Sequence, residues 1–216
     1  MSDEGERFDR DRSAALASAL AQGSAGLSSL YLTATKHLAE HPEPGFGVSR
    51  VSVICHCLRE LMAGVLRTLL EAPEQRPSPT SGGLAQRLTA AVEKQSNLDL
   101  RADQDLIPVP RKMARIVADI AVTVNQEQGR NRRNLAALIT GNARHSHPSM
   151  AEWTEAYNFF LKWAHVDQHH EKLPTDQQML GHLAIVEQII ETRLNEFFDN
   201  LRAVEDLLQE ANMQEG

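Results

Sequence analysis

Residues 175–212, TDQQMLGHLAIVEQIIETRLNEFFDNLRAVEDLLQEAN, decide the fold class. Leu183, Val186, Ile190, Leu194, Phe197, Leu201, Val204 and Leu208 recur every three or four residues. That period follows one face of an α-helix, so 177–212 reads as one long helix with an apolar seam. Thr175 and Gln178, directly after Pro174, form a capping box that starts it. Such a seam is the spine of a helical bundle or a surface for a protein partner or a second copy of the chain, making a homo-oligomer.

The same period recurs upstream. In VSRVSVICHCLRELMAGVLRTLLEA (48–72), Ile54, Leu58, Leu61, Val65 and Leu69 share a face. In 111–128, Met113, Ile116, Val117, Ile120 and Val124 do so behind Pro110, and a shorter helix, RNLAALIT, ends at Gly141. Trp153, Tyr157, Phe160, Leu161 and Ala164 give another, with Ser149 as N-cap and Glu152 completing a capping box. Residues 13–40 are rich in Ala and Leu, and Gly23 and Gly26 mark a kink or turn. No stretch sustains the two-residue alternation of a strand. The expectation is an all-α bundle of six to eight helices with a long C-terminal helix.

Proline and glycine punctuate the chain. EHPEPGFG (40–47) is a loop, and PEQRPSPTSGG (73–83) is a loop or linker. The expected organisation is a disordered charged tail over 1–12, an N-terminal helical part over 13–72, and a C-terminal bundle over 84–212 that closes into one compact domain with 13–72. The tail lacks the apolar core of a signal peptide, and no apolar run reaches the length of a membrane span. A soluble, cytoplasmic protein without a membrane anchor is expected.

Hydrophobic residues make up 42% of the chain, enough for a core. With 22 Lys and Arg against 29 Asp and Glu, the net charge of −7 argues against a general nucleic-acid coat. The charge is unevenly spread. Residues 111–145 hold seven basic and two acidic side chains, whereas 181–216 hold two basic and eight acidic. Complementary packing of one segment on another accounts for this, and so does a local phosphate-binding patch for RNA built from Arg130, Arg132, Arg133, His145 and His147. Cys55 and Cys57 lie about 200° apart on a helix, too far round to pair, and read as small buried hydrophobes.

NFFLKWAHVDQHH (158–170) carries three histidines in its last six residues. On a continuing helix, His165 and His169 face the same way, and His182 or Glu187 can approach from the next helix, a weak candidate metal site. Histidines closing the C-terminal end of a core helix are the alternative, since the helix dipole favours cations there. No His-Glu-x-x-His, phosphate loop, dinucleotide fingerprint or nucleophile elbow is present, and no cofactor is expected.

FFLKWAH (159–165), an aromatic helix ending in His165, is followed by a turn and the long acidic helix. In this the C-terminal half, about 111–212, resembles the HEPN class of helical domains, found in bacterial toxin–antitoxin and phage-defence proteins. Active members carry an Arg-x(4–6)-His motif, in which the histidine works as acid and base on RNA and the arginine stabilises charge at the phosphate. The resemblance implies His165 as the acid–base residue. It departs from the class in that no arginine stands in the window upstream of His165. The chain's one such spacing, Arg50 to His56, lies in the other half. Catalysis would need an arginine brought in by the fold, and Arg144 or Arg133 are the candidates. Three functions follow as expectations: a helical interaction module of a defence, toxin–antitoxin or stress system, as a non-catalytic HEPN relative; a metal-independent RNA endonuclease using His165 with Arg144; and a His-rich metal-binding bundle.

Overall fold

The structure is a computed structural model that describes residues 3–41, 43–70, 73–95, 98–101, 103–165 and 172–214; over 3–10 and 197–214 it describes the backbone alone. Seven helices and no strand occur among the described residues: α1 (Asp3–Gly23), α2 (Ala25–Ala39), α3 (Gly47–Thr68), α4 (Ser81–Glu93), α5 (Arg111–Thr140), α6 (Ser149–Ala164) and α7 (Asp176–Gln214). The fold is all-α, a helical bundle with a long C-terminal helix. None of the described helices is long and apolar enough to cross a membrane.

The chain divides into two compact units, one formed by 1–73 with 135–216 and the other by 74–134. In the first unit α3 lies at the centre and packs on α2 and α6, while α1 packs on α2 and α7 on α6. Its apolar stripe, Ile54, Leu58, Leu61 and Val65, is fully buried. Each such side chain contributes roughly 1.5–3 kcal/mol relative to exposure. α2 approaches α3 closely at Gly64, where a Cβ would collide with the Leu27 side chain. Phe160 and Trp153 of α6 and Met179, Leu183, Val186, Ile190 and Leu194 of α7 complete the core.

Polar links fix how these helices meet. The Arg50 guanidinium donates to the carbonyls of His37 and Leu38 at 2.6 and 3.0 Å and to both carboxylate oxygens of Asp176. One side chain thus joins the end of α2, the start of α3 and the start of α7. Tyr31 donates to Glu187 at 2.6 Å, and Arg12 grips Glu191 with two bonds, so α2 and α1 are each tied to α7. The Thr175–Gln178 capping box forms as expected: Thr175 N–H donates to Gln178 Oε1 and Gln178 N–H to Thr175 Oγ1.

The second unit holds α4 and α5 up to Asn134. Glu127 of α5 accepts from Ser81 N–H at 3.1 Å and Ser81 Oγ at 2.6 Å, placing a carboxylate on the N-terminus of α4. Such an anion satisfies the unpaired donors of the first turn. Asn134 accepts from Glu74 N–H at 3.0 Å, and Arg133 holds the Glu74 carboxylate with two bonds.

Several boundaries differ from the sequence reading. The helix expected from 13 already begins at Asp3, within the segment read as a charged tail. The two helices expected over 111–128 and 133–140 are one, because helical hydrogen bonding runs through Gly129, whose missing Cβ leaves room for the Arg133 guanidinium. The expected closing of the C-terminal part onto 13–72 is seen for 135–216, which shares one core with the N-terminal part, while 74–134 forms a compact unit of its own. Ser149 does not cap α6 with its side chain; Pro148 takes the cap position, and Ser149 N–H donates instead to His147 Nδ1 at 3.2 Å.

Candidate functional site

The polar side of α3 is as regular as its core side. Ser52, His56, Arg59 and Glu60 stand at i, i+4, i+7 and i+8, so they form one stripe on the helix. Ser52 sets the position of the opposing group. Its hydroxyl donates to the carbonyl of Ala164 at 2.7 Å, satisfying the last residue of α6. His165 follows in an extended conformation (φ −110°, ψ 100°), so α6 stops there and the imidazole turns back over α3.

Arg59 gathers the cluster. Its Nη1 lies 3.0 Å from His165 Nε2, and its Nη2 lies 3.4 Å from His56 Nδ1 and 2.7 Å from Glu60 Oε1. The Arg59 side chain is 16% exposed, whereas both imidazoles are exposed to solvent. A guanidinium has only donors. These contacts are therefore hydrogen bonds when His165 presents an unprotonated Nε2 and His56 an unprotonated Nδ1. Both rings are then neutral, each with its remaining proton on the other nitrogen. Hydrogen bonding to Arg59 holds the Glu60 carboxyl below the usual carboxylate range. The cluster thus unites two imidazoles able to move a proton, one permanent positive charge and one carboxylate at an accessible surface.

The expected site residues separate. His165 joins this cluster, and the arginine beside it is Arg59 of α3 rather than Arg144 or Arg133. Arg144 is exposed after α5, its N–H bound to Asn142 Oδ1 at 2.9 Å. His145 and His147 are exposed in the same loop, where His147 serves as the acceptor at the start of α6. Arg130, Arg132 and Arg133 belong to the other unit. Arg133 is occupied by Glu74, Arg130 binds Asn131 Oδ1 at 2.7 Å, and Arg132 is exposed.

The expected metal geometry required α6 to continue past His165, and it ends at Ala164. His169 and His170 lie outside the described residues. His182 stacks on Phe159 with ring centroids 4.2 Å apart, and its buried Nδ1 has no hydrogen-bond partner among the described residues. No three His, Cys, Asp or Glu side chains converge as metal ligands among the described residues. Cys55 and Cys57 are free and buried, and burial pushes the Cys55 thiol up to about 12.

Arg59 was not singled out by sequence, and His56 entered only through its spacing from Arg50, not as a partner of His165. The signal for them is the polar stripe opposite the α3 core face. No known protein family, no curated protein and no solved structure matches the chain.

Proposed function

We propose that the Arg59–His165–His56 cluster is a metal-independent acid–base site acting on a phosphodiester of RNA, as in HEPN-type nucleases of bacterial defence or toxin–antitoxin systems. One observation carries this reading: the 3.0 Å contact between Arg59 Nη1 and His165 Nε2 supplies, across 106 residues of sequence, the arginine that the window before His165 lacks. Arg59 would pair with the phosphate oxygens and stabilise charge as the bond breaks. With Arg59 drawn to the phosphate, the two imidazoles would be released to transfer the protons, one taking a proton in its neutral form and the other giving one in its protonated form. The expected outcome is that purified protein cleaves single-stranded RNA in the presence of a chelator and that Arg59→Ala or His165→Ala lowers the rate by about 100-fold or more. Folded wild-type protein without cleavage, or variants with unchanged rates, would remove the reading.

A second reading, a helical interaction module, is favoured by α5. Ala114, Val117, Ala118, Ala121 and Val122 form an exposed stripe at helical spacing, with Val117 and Val122 about half exposed or more. A partner protein or a second copy would cover it. By contrast, the expected partner surface on 177–212 is buried in the chain's own core at Leu183, Val186, Ile190 and Leu194. Sedimentation of wild type beside Val117→Asp tests association through α5; an unchanged distribution excludes it.

A further inference from the structure

In the free protein Arg59 is already in use at the atom a phosphate needs. A guanidinium grips an oxyanion with two parallel bonds along one of two edges, Nε with Nη2 or Nη1 with Nη2. The chain shows both: Arg12 holds Glu191 through Nε and Nη2, and Arg50 holds Asp176 through Nη1 and Nη2. Nη2 is common to the two edges and gives one hydrogen to each. In Arg59 that nitrogen lies 2.7 Å from Glu60 Oε1 and 3.4 Å from His56 Nδ1, so both hydrogens have an acceptor in front of them. The contact to Glu60 is the shorter and is charge-assisted, hence the stronger. The Arg59 side chain is 16% exposed and that of Glu60 39%, so an oxyanion arriving from solvent meets the carboxylate as well as the guanidinium.

Glu60 cannot move far once displaced. It follows Arg59 directly in the middle of α3, a helix pinned by its buried core face. Displacement turns its side chain and leaves its charge beside Arg59. An occupied site then holds one guanidinium and two anions. A phosphodiester carries one negative charge, and a terminal or free phosphate carries close to two. With both imidazoles neutral, the diester leaves the site one negative charge in excess and the dianion leaves it two. The next cation along that side of α3, Arg67, is exposed and seven residues beyond Glu60, about 10 Å along the helix. Solvent and salt screen it there.

We propose that Glu60 is a specificity-determining residue: it holds the phosphate's place on Arg59 in the free protein and, once displaced, confines the site to monoanionic phosphodiesters within a strand, against terminal or free phosphate. This rests on the acid–base reading and names what that site admits. Binding is followed by the fluorescence anisotropy of a labelled single-stranded 2′-O-methyl RNA without terminal phosphates. Inorganic phosphate at about pH 8 is the dianionic competitor. Glu60→Gln keeps an oxygen that accepts from Arg59 and removes the charge, at a position open enough to tolerate the change. The expected result is that Glu60→Gln binds the RNA about threefold to fivefold more tightly than wild type. The inhibition constant of phosphate falls by a larger factor, and Arg59→Ala loses both. RNA affinity that is unchanged or lower in Glu60→Gln would make the carboxylate an orienting group for Arg59 and overturn the proposal. A phosphate constant that falls no further than that of the RNA would overturn it as well. Arg59→Ala that binds the RNA as tightly as wild type overturns the acid–base reading itself and the proposal with it, so the two failures are distinct.

Discussion

The two units are built on different terms. In the first, nine residues of α3 alone are buried, and Phe160, Tyr31, Leu58 and Ile190 are almost wholly withdrawn from solvent. In the second, the buried side chains among the described residues are Leu84, Met113, Thr123 and Asn134. Leu106 is 86% exposed, and the first 23 residues of α5 bury two side chains. What orders the second unit is a set of side-chain bonds to backbone and to opposite charge: Glu127 to Ser81, Asn134 to Glu74, Arg133 to Glu74. Apolar burial scales with area and is insensitive to pH. Exposed charged bonds are weak, screened by salt and removed by acid. The contrast therefore predicts two stabilities within one chain.

The largest effect belongs to the core. Phe160→Ala destabilises the first unit by about 3–5 kcal/mol. Both tryptophans, Trp153 and Trp163, lie in that unit, so their fluorescence reports it alone. In urea, helix content falls first as the second unit opens, and tryptophan emission changes later. Coincident transitions in the wild type would instead make the chain one cooperative body and break the comparison.

Arg50→Ala comes next, at about 2 kcal/mol, because the carbonyls of His37 and Leu38 lose their donor as Asp176 loses its partner. Arg50→Lys does not restore the loss, since one ammonium cannot reproduce the fork. Full recovery by lysine in thermal unfolding would count against the clamp.

Acid sharpens the contrast. Arg133 holds the Glu74 carboxyl below its ordinary value, and hydrogen bonds from Ser81 do the same for Glu127. A depressed folded value stabilises above the unfolded value and ceases to do so as pH falls through the folded one. Below the ordinary carboxylate value of 4.5, amide exchange over 74–84 rises while tryptophan emission holds. Equal loosening of both units would contradict this assignment.

The smallest effect is local. With Cys55 and Cys57 buried and both thiols raised, a thiol reagent labels neither at neutral pH until the first unit opens. Labelling in the native state at the rate of an exposed cysteine would show that α3 is less enclosed than its burial implies.

Local signals in the chain were legible to the extent that they act locally. The α3 stripe, the turn at Gly23, the α7 seam up to Leu194 and the Thr175–Gln178 box each depend on residues within one or two helical turns. The helices read separately over 111–128 and 133–140 are one, because hydrogen bonding on both sides carries the helix through the polar stretch between them. The division into units was hidden because the chain leaves the first unit at Pro73 and returns to it at Leu135, in the middle of a helix. For the site, His165 was visible as the last residue of an aromatic helix. The arginine that meets it was not, because spacing within a motif says nothing about a side chain 106 residues away that reaches it through the packing of α3 on α6.

The interrupted path of the chain has a consequence for biosynthesis. α1, α2 and α3 leave the ribosome carrying the apolar stripe of α3, while its partners α6 and α7 are encoded beyond residue 148. Until then the nascent chain holds unburied hydrophobic surface, and the loop that must close is long. The segment 74–134 makes its defining bonds within itself and is complete sooner. The order of emergence is therefore the reverse of the order of stability. The better-packed unit spends longer in a state that chaperones recognise.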